Sequence, residues 1–156
     1  MWLQVLAALF LLLAGLLAGV LFTVEMAIVP TIRALAADPW IRVHVLLDRR
    51  FDPMMPRMNK VALAIGLVLI VFVPGPATKV AFAAAALSIG GVAVISEVYN
   101  VRLNKRIAAW PVGDPPAEWP EVRARWARAN QARTLVALGG FAVTIAAVAL
   151  AWVGVR

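Results

Sequence analysis

Four stretches of this 156-residue chain contain no Asp, Glu, Lys or Arg: residues 1–24, 61–78, 80–96 and 134–155. Nothing else in the sequence restricts the fold as strongly. A helix needs about 20 mostly apolar residues to cross the hydrocarbon core of a bilayer, and a crossing segment must satisfy its own backbone, which a helix does. The outer two stretches meet that length directly, and the middle two borrow polar neighbours at one end. The expected fold is an all-α membrane protein, one domain over 1–156. It is an antiparallel bundle of four transmembrane helices at about 2–34, 57–74, 77–108 and 120–154. The first stretch lacks a basic leader and exceeds the length of a signal core, so it reads as a membrane anchor.

The formal net charge of +7 raises the question of nucleic acid, but its distribution answers otherwise. Thirteen of the 15 basic residues lie in two connections, Arg33 to Lys60 and Arg102 to Arg133; Lys79 and Arg156 are the exceptions. The positive-inside rule puts both connections in the cytoplasm and both termini outside a multi-pass plasma membrane. Anionic lipids, rather than nucleic acid, are the partner such a basic face expects. The chain has no cysteine, so disulfide and thiolate chemistry are excluded.

The first connection is not a floppy loop. Asp38 and Pro39 form an expected N-cap and first-turn pair. Trp40, Val43, Leu46 and Leu47 then recur at helical spacing, predicting a short amphipathic interfacial helix over about 39–50 that Pro53 and Pro56 end. Trp40, Trp110, Trp119 and Trp126 read as an aromatic belt at the interface, and Met54, Met55 and Met58 as packing residues. "WPVGDPPAEWP" breaks the third helix, and the fourth, at roughly 35 residues, is about 50 Å long. The last two helices should project from the bilayer as a hairpin.

On a helical wheel Glu97, Asn100 and Asn104 share one face, continued by Ala93, Gly90 and Ala86. Trp126, Asn130 and Arg133 share another, continued by Ala137, Gly140 and Thr144. Glu25 lies on a face with Ala18 and Ala14, and Asn59 and Lys60 open the second membrane helix. Small residues line helix contacts or cavities in membranes, so these faces should point inward and gather polar groups at one depth. The plainer alternative is that Arg133 pairs with Glu97 or Glu25 as a structural cross-link. Ionisable groups inside a membrane nevertheless mark sites by default. His44, the only histidine, has Asp48 four residues on, within hydrogen-bonding reach on one helix face. Glu25, Glu97 and His44 together would suit iron or manganese, so a non-haem metal stays open although nothing in the sequence requires a cofactor. No nucleophile elbow, phosphate loop or Cys-based metal spacing is present.

The order of these parts resembles the anthrone oxygenase-like family of small four-helix membrane proteins. The likeness rests on "VEMAIVP", "VHVLLDRRFDPMMP", the asparagine pair of "VYNVRLNKR" and "RWARANQART" opening the last helix. It implies an oxidoreductase of secondary metabolism acting on polycyclic, polyketide-like substrates, with O2 as co-substrate. It also implies roles for His44 and Asp48, Asn100 and Asn104, and Trp126, Asn130 and Arg133.

The reading taken forward is a membrane enzyme acting on a hydrophobic small molecule in a pocket at the cytoplasmic half of the bundle. Glu97 would remove an acidic C–H proton, while Arg133 with Asn100 or Asn130 stabilises the oxyanion. Glu25 and His44 complete the catalytic set, and Asn104, Trp126, Asn130, Asn59 and Asp48 would bind substrate. The competing readings are a proton-coupled exporter working through Glu25, and a non-catalytic lipid-binding or assembly subunit, as a homo-oligomer or otherwise.

Overall fold

The computed structural model describes residues 1–111 and 113–153, and among them every regular element is helical. The first rod comprises α1 (Trp2–Thr23), a wider π-helical turn over Val24–Ile28, and α2 (Val29–Arg33). The next elements are α3 (Ala37–Phe51) and α4 (Met55–Phe72). The third rod is α5 (Pro76–Ile95), a second π turn over Ser96–Asn100, and α6 (Val101–Ala108). The last rod is α7 (Trp119–Val153). Residue 154, the expected end of the last helix, and Arg156, one of the two basic exceptions, lie outside the described residues.

Four helical stretches are long and apolar enough to cross a membrane: Trp2–Arg33, Ala37–Phe72, Pro76–Ala108 and Trp119–Trp152. Within the second, α3 carries Asp38, Arg42, Asp48, Arg49 and Arg50, so the crossing part is α4 and α3 stays outside the apolar slab. Short turns join α3 to α4 and α4 to α5, and the second sets α4 and α5 antiparallel. The second turn needs Gly75, whose φ of 81° is a conformation that L side chains rarely adopt. Around the bundle α1 packs on α4 and α7, and α5 packs on α4 and α7.

Hydrophobicity cannot drive helices together inside lipid, so fit decides their packing. Phe10 and Phe82 meet edge to face at 5.9 Å in a core shared with Leu69, Ala85 and Ala147. Gly140 allows α5 to approach α7 closely: a Cβ there would stand 2.5 Å from Ser88 Cβ. Leu12, Leu67, Val80, Leu87, Leu135 and Ile145 are exposed on the outside of the bundle, as a lipid-facing surface requires. Buried or membrane-depth hydroxyls bond back to their own helix, as Thr144 does to the Gly140 carbonyl at 2.8 Å.

Two local expectations change. α3 starts at Ala37, so Asp38 is not its N-cap but lies in its first turn, where a carboxylate suits the helix dipole. Its Oδ1 accepts the Gly113 N–H from the α6–α7 connection at 3.3 Å. Pro56 does not end α3; it sits in the first turn of α4, where its missing N–H costs nothing. Pro30 lies in the first turn of α2 within the first rod. It has no N–H to give the preceding turn, and the ladder widens into the π turn just ahead of it.

Candidate functional site

At the polar end of the bundle, where both π turns lie, a cavity of about 260 Å³ opens between the rods. Leu17, Val20, Leu21, Leu63 and Val92 make its apolar body. Asp52, Lys60 and Glu97 are the exposed charged members of its wall and mark the mouth. That mouth lies beside the α3–α4 turn. Both π turns contribute wall, through Val24 and Ile28 in one and Ser96, Glu97 and Asn100 in the other. Widened turns of this kind often accompany functional sites, because they redirect side chains out of the regular helical array.

Eight of the ten candidate residues line this cavity: His44, Asp48, Asn59, Glu97, Asn100, Asn104, Trp126 and Arg133. Glu25 and Asn130 do not; they stand behind Arg133. Asn130 is fully buried and holds two opposite charges apart. Its Nδ2 donates to Glu25 Oε2 at 2.6 Å, and its Oδ1 accepts from Arg133 Nη2 at 2.8 Å and Nε at 3.2 Å. Arg133 Nη1 also donates to Ser96 Oγ at 3.4 Å. The alternative, a direct pairing of Arg133 with Glu25 or Glu97, does not form. Among the described residues the ion pairs are Arg106–Glu118 at 2.5 Å and Arg125–Glu121 at 4.0 Å, both on the surface. A neutral amide between carboxylate and guanidinium takes the place of the salt bridge.

The second cluster centres on Asn104. Its Oδ1 lies 3.1 Å from His44 Nε2 and accepts the Trp126 indole N–H at 2.9 Å, while its Nδ2 donates to Asp48 Oδ1. No direct His44–Asp48 bond forms, contrary to expectation, because Asn104 of α6 inserts between them. Trp40 stacks on the His44 ring at 4.9 Å, and Trp126 meets it edge-on at 4.8 Å. Trp40 and Trp126 therefore leave the expected aromatic belt: they are 1% and 7% exposed and belong to a core with Ile32, Ile41, Ile107 and Val122. Burial pushes the His44 imidazole down to about 4; the Asn104 hydrogen bond opposes this and the Arg133 charge adds to it. Burial and the Asp52 charge raise the Asp48 carboxyl, against the pull of Asn104 and Arg133.

Glu97, Asn100 and Asn104 all line the cavity, at different depths. Glu97 and Asn100 both belong to the π turn, with Glu97 exposed at the mouth and Asn100 only 1% exposed in the wall. Neither amide atom of Asn100, nor the buried Asn59 Oδ1, has a hydrogen-bond partner among the described residues. An unmet buried polar group costs about 1–3 kcal/mol. Glu25, Glu97 and His44 do not converge, and among the described residues no three His, Asp or Glu side chains gather as a metal site would need. Reasoning from the sequence missed Ser96, Trp40 and Thr134, whose hydroxyl bonds the Leu21 and Asn130 carbonyls. Ser96 sits one residue before Glu97, and adjacency to a membrane carboxylate was the available signal.

No curated protein and no solved structure matches the chain. The family model described as anthrone oxygenase matches residues 44–143, from the buried histidine of α3 to the apolar part of α7. That span covers well over half the chain and all eight cavity-lining candidates. A four-helix membrane bundle bearing this match belongs to the anthrone oxygenase family.

Proposed function

We propose that the chain is an integral-membrane enzyme that oxygenates a hydrophobic, polyketide-like small molecule inside the cavity. The observation that carries this reading is Asn100: buried, unpartnered at both amide atoms, and in the same wall as Arg133. A ligand carbonyl or hydroxyl would supply the missing partners. The substrate's fused apolar body fits against Leu17, Val20, Leu21, Leu63 and Val92, and its oxygens reach the polar wall.

Glu97 accepts no hydrogen bond and no ion pair among the described residues, and it borders the cavity. In this reading it takes the acidic C–H proton, and Arg133 with Asn100 donates to the enolate or phenolate oxygen that forms. Donors fixed in place before the charge develops are the strongest aid an active site gives such a step. The carbanion then reacts with O2, one oxygen atom becoming a carbonyl on that carbon and the other leaving as water. Asn130 and Glu25 hold the guanidinium in position rather than touch substrate. The basic connections face the cytoplasm and the termini the outside of the plasma membrane, so substrate reaches the mouth from the inner leaflet.

The test is O2 uptake and quinone formation from anthrone by protein in lipid nanodiscs. Glu97→Gln should abolish turnover with thermal unfolding unchanged. A folded Glu97→Gln protein that still turns over rules out the assignment, and a wild-type protein inert toward anthrone and related hydroxylated aromatics rules out the reading.

A further inference from the structure

The three partners of Asn104 leave one arrangement of protons. An indole N–H can only donate, so the Asn104 atom 2.9 Å from Trp126 Nε1 must be oxygen. A carboxylate accepts, so the atom facing Asp48 must be the amide nitrogen. Two neighbours of opposite demand thus orient the amide independently. The oxygen so placed is also 3.1 Å from His44 Nε2 and can only accept, which requires a hydrogen on Nε2. In a neutral imidazole the other nitrogen is then bare. Trp40 covers one face of the ring, Trp126 meets it edge-on, and Asn104 holds Nε2, yet the ring is part of the cavity wall. The Nδ1 edge is what remains to meet a ligand.

We infer that Asn104 is a positioning residue that fixes His44 as the Nε2–H tautomer, making Nδ1 a hydrogen-bond acceptor for the O–H of an apolar ligand in the cavity. The ligand class follows: a phenol or enol satisfies a bare ring nitrogen, whereas a carboxylate would face its lone pair and nearby Asp48. The inference deepens the proposed function at the same cavity, resting on it for the claim that a ligand enters. The histidine's state stands apart from turnover.

His44 is the only histidine, so one pair of ring nitrogens appears in the NMR spectrum of 15N-histidine-labelled protein, with no assignment step. In lipid nanodiscs at pH 7 the wild-type spectrum should show the proton on Nε2 and a bare Nδ1. Trp126→Phe should keep that state, because Asp48 still orients the amide. Asn104→Leu should mix the two tautomers. Adding 1-naphthol should move the Nδ1 resonance toward its hydrogen-bonded position, and naphthalene should not. A wild-type proton on Nδ1, a charged ring at pH 7, or an equal response to both probes would overturn the inference. Should Asn104→Leu fail to fold, the wild-type and Trp126→Phe spectra decide alone. Correct ring spectra without O2 uptake defeat only the enzyme reading; uptake with the wrong tautomer defeats only this one.

Discussion

Replacing Asn130 by Leu should be the most damaging single change behind the cavity wall. The substitution keeps the branched shape, though with bulkier methyl groups, and removes three hydrogen bonds, one to Glu25 and two from Arg133. If these behaved as average interhelical bonds in a bilayer, each would be worth about 0.6 kcal/mol. Charge-assisted bonds run to about 1.5–3 kcal/mol each, which sets the upper bound. The loss therefore lies between about 2 and 9 kcal/mol. Direct approach of Arg133 to Glu25 offsets part of it, and we expect about 3 kcal/mol. For a chain of this length that is a fall of roughly 6–12 °C in Tm. The assay is thermal unfolding in one detergent, run as a double-mutant cycle with Glu25→Gln. Asn130→Asp is the directional control: it keeps an acceptor for Arg133 but puts a second carboxylate against Glu25, and it should also destabilise. A loss below about 1 kcal/mol for Asn130→Leu, or strict additivity with Glu25→Gln, would refute the bridging role.

Two further outcomes can be checked on the same samples. Gly140→Ala should cost about 1–3 kcal/mol, because its Cβ would press on Ser88 across the α5–α7 contact, while Gly90→Ala, with nothing within 4 Å, should be neutral or slightly stabilising. Acidification should destabilise the protein through His44. Its folded pKa of about 4 lies below the ordinary value near 6.5, so the unfolded chain binds more protons between those pH values and stability falls as pH drops through them. The full effect is about 3 kcal/mol. Asp48, raised in the folded state, acts in the opposite sense, so the difference between wild type and His44→Gln isolates the histidine. Parallel pH profiles for the two would remove the argument.

The spans were legible because lipid imposes a composition that few other environments tolerate. The inward face of α7 was legible for a related reason: it is one regular helix, so a wheel carries Trp126 and Asn130 onto one buried face without accumulating error. On the first and third rods π turns at Val24–Ile28 and Ser96–Asn100 interrupt the regular period, so a wheel could give the inward side but not the depth or partner of each polar group. Glu25 bonds Asn130 behind the wall, and Glu97 lies at the mouth while Asn100 is buried in the wall. Asn104 was assigned to the right face, but its contact with His44 joins residues 60 apart, and no local pattern announces such a pairing. The depth of Trp40 and Trp126 was hidden by a prior that places tryptophan at the membrane surface; here Ile107 and Val122 give them a core of their own beyond the apolar slab.

The paired π turns also bear on how chemistry can be added to a membrane helix. A π turn accommodates one surplus residue while the helix on either side keeps its place in the packing. Forcing the turn at Ser96–Asn100 into regular α-helix with every residue retained would rotate α6 by about 100°. Asn104 would swing away from His44 and Trp126. Deleting one residue would leave both flanks seated and simply subtract a side chain from the wall. The first and third rods thus each join two independently indexed pieces, a lipid-matched body and a chemically equipped head. An inserted residue at that joint alters the head without renumbering a single contact in the body.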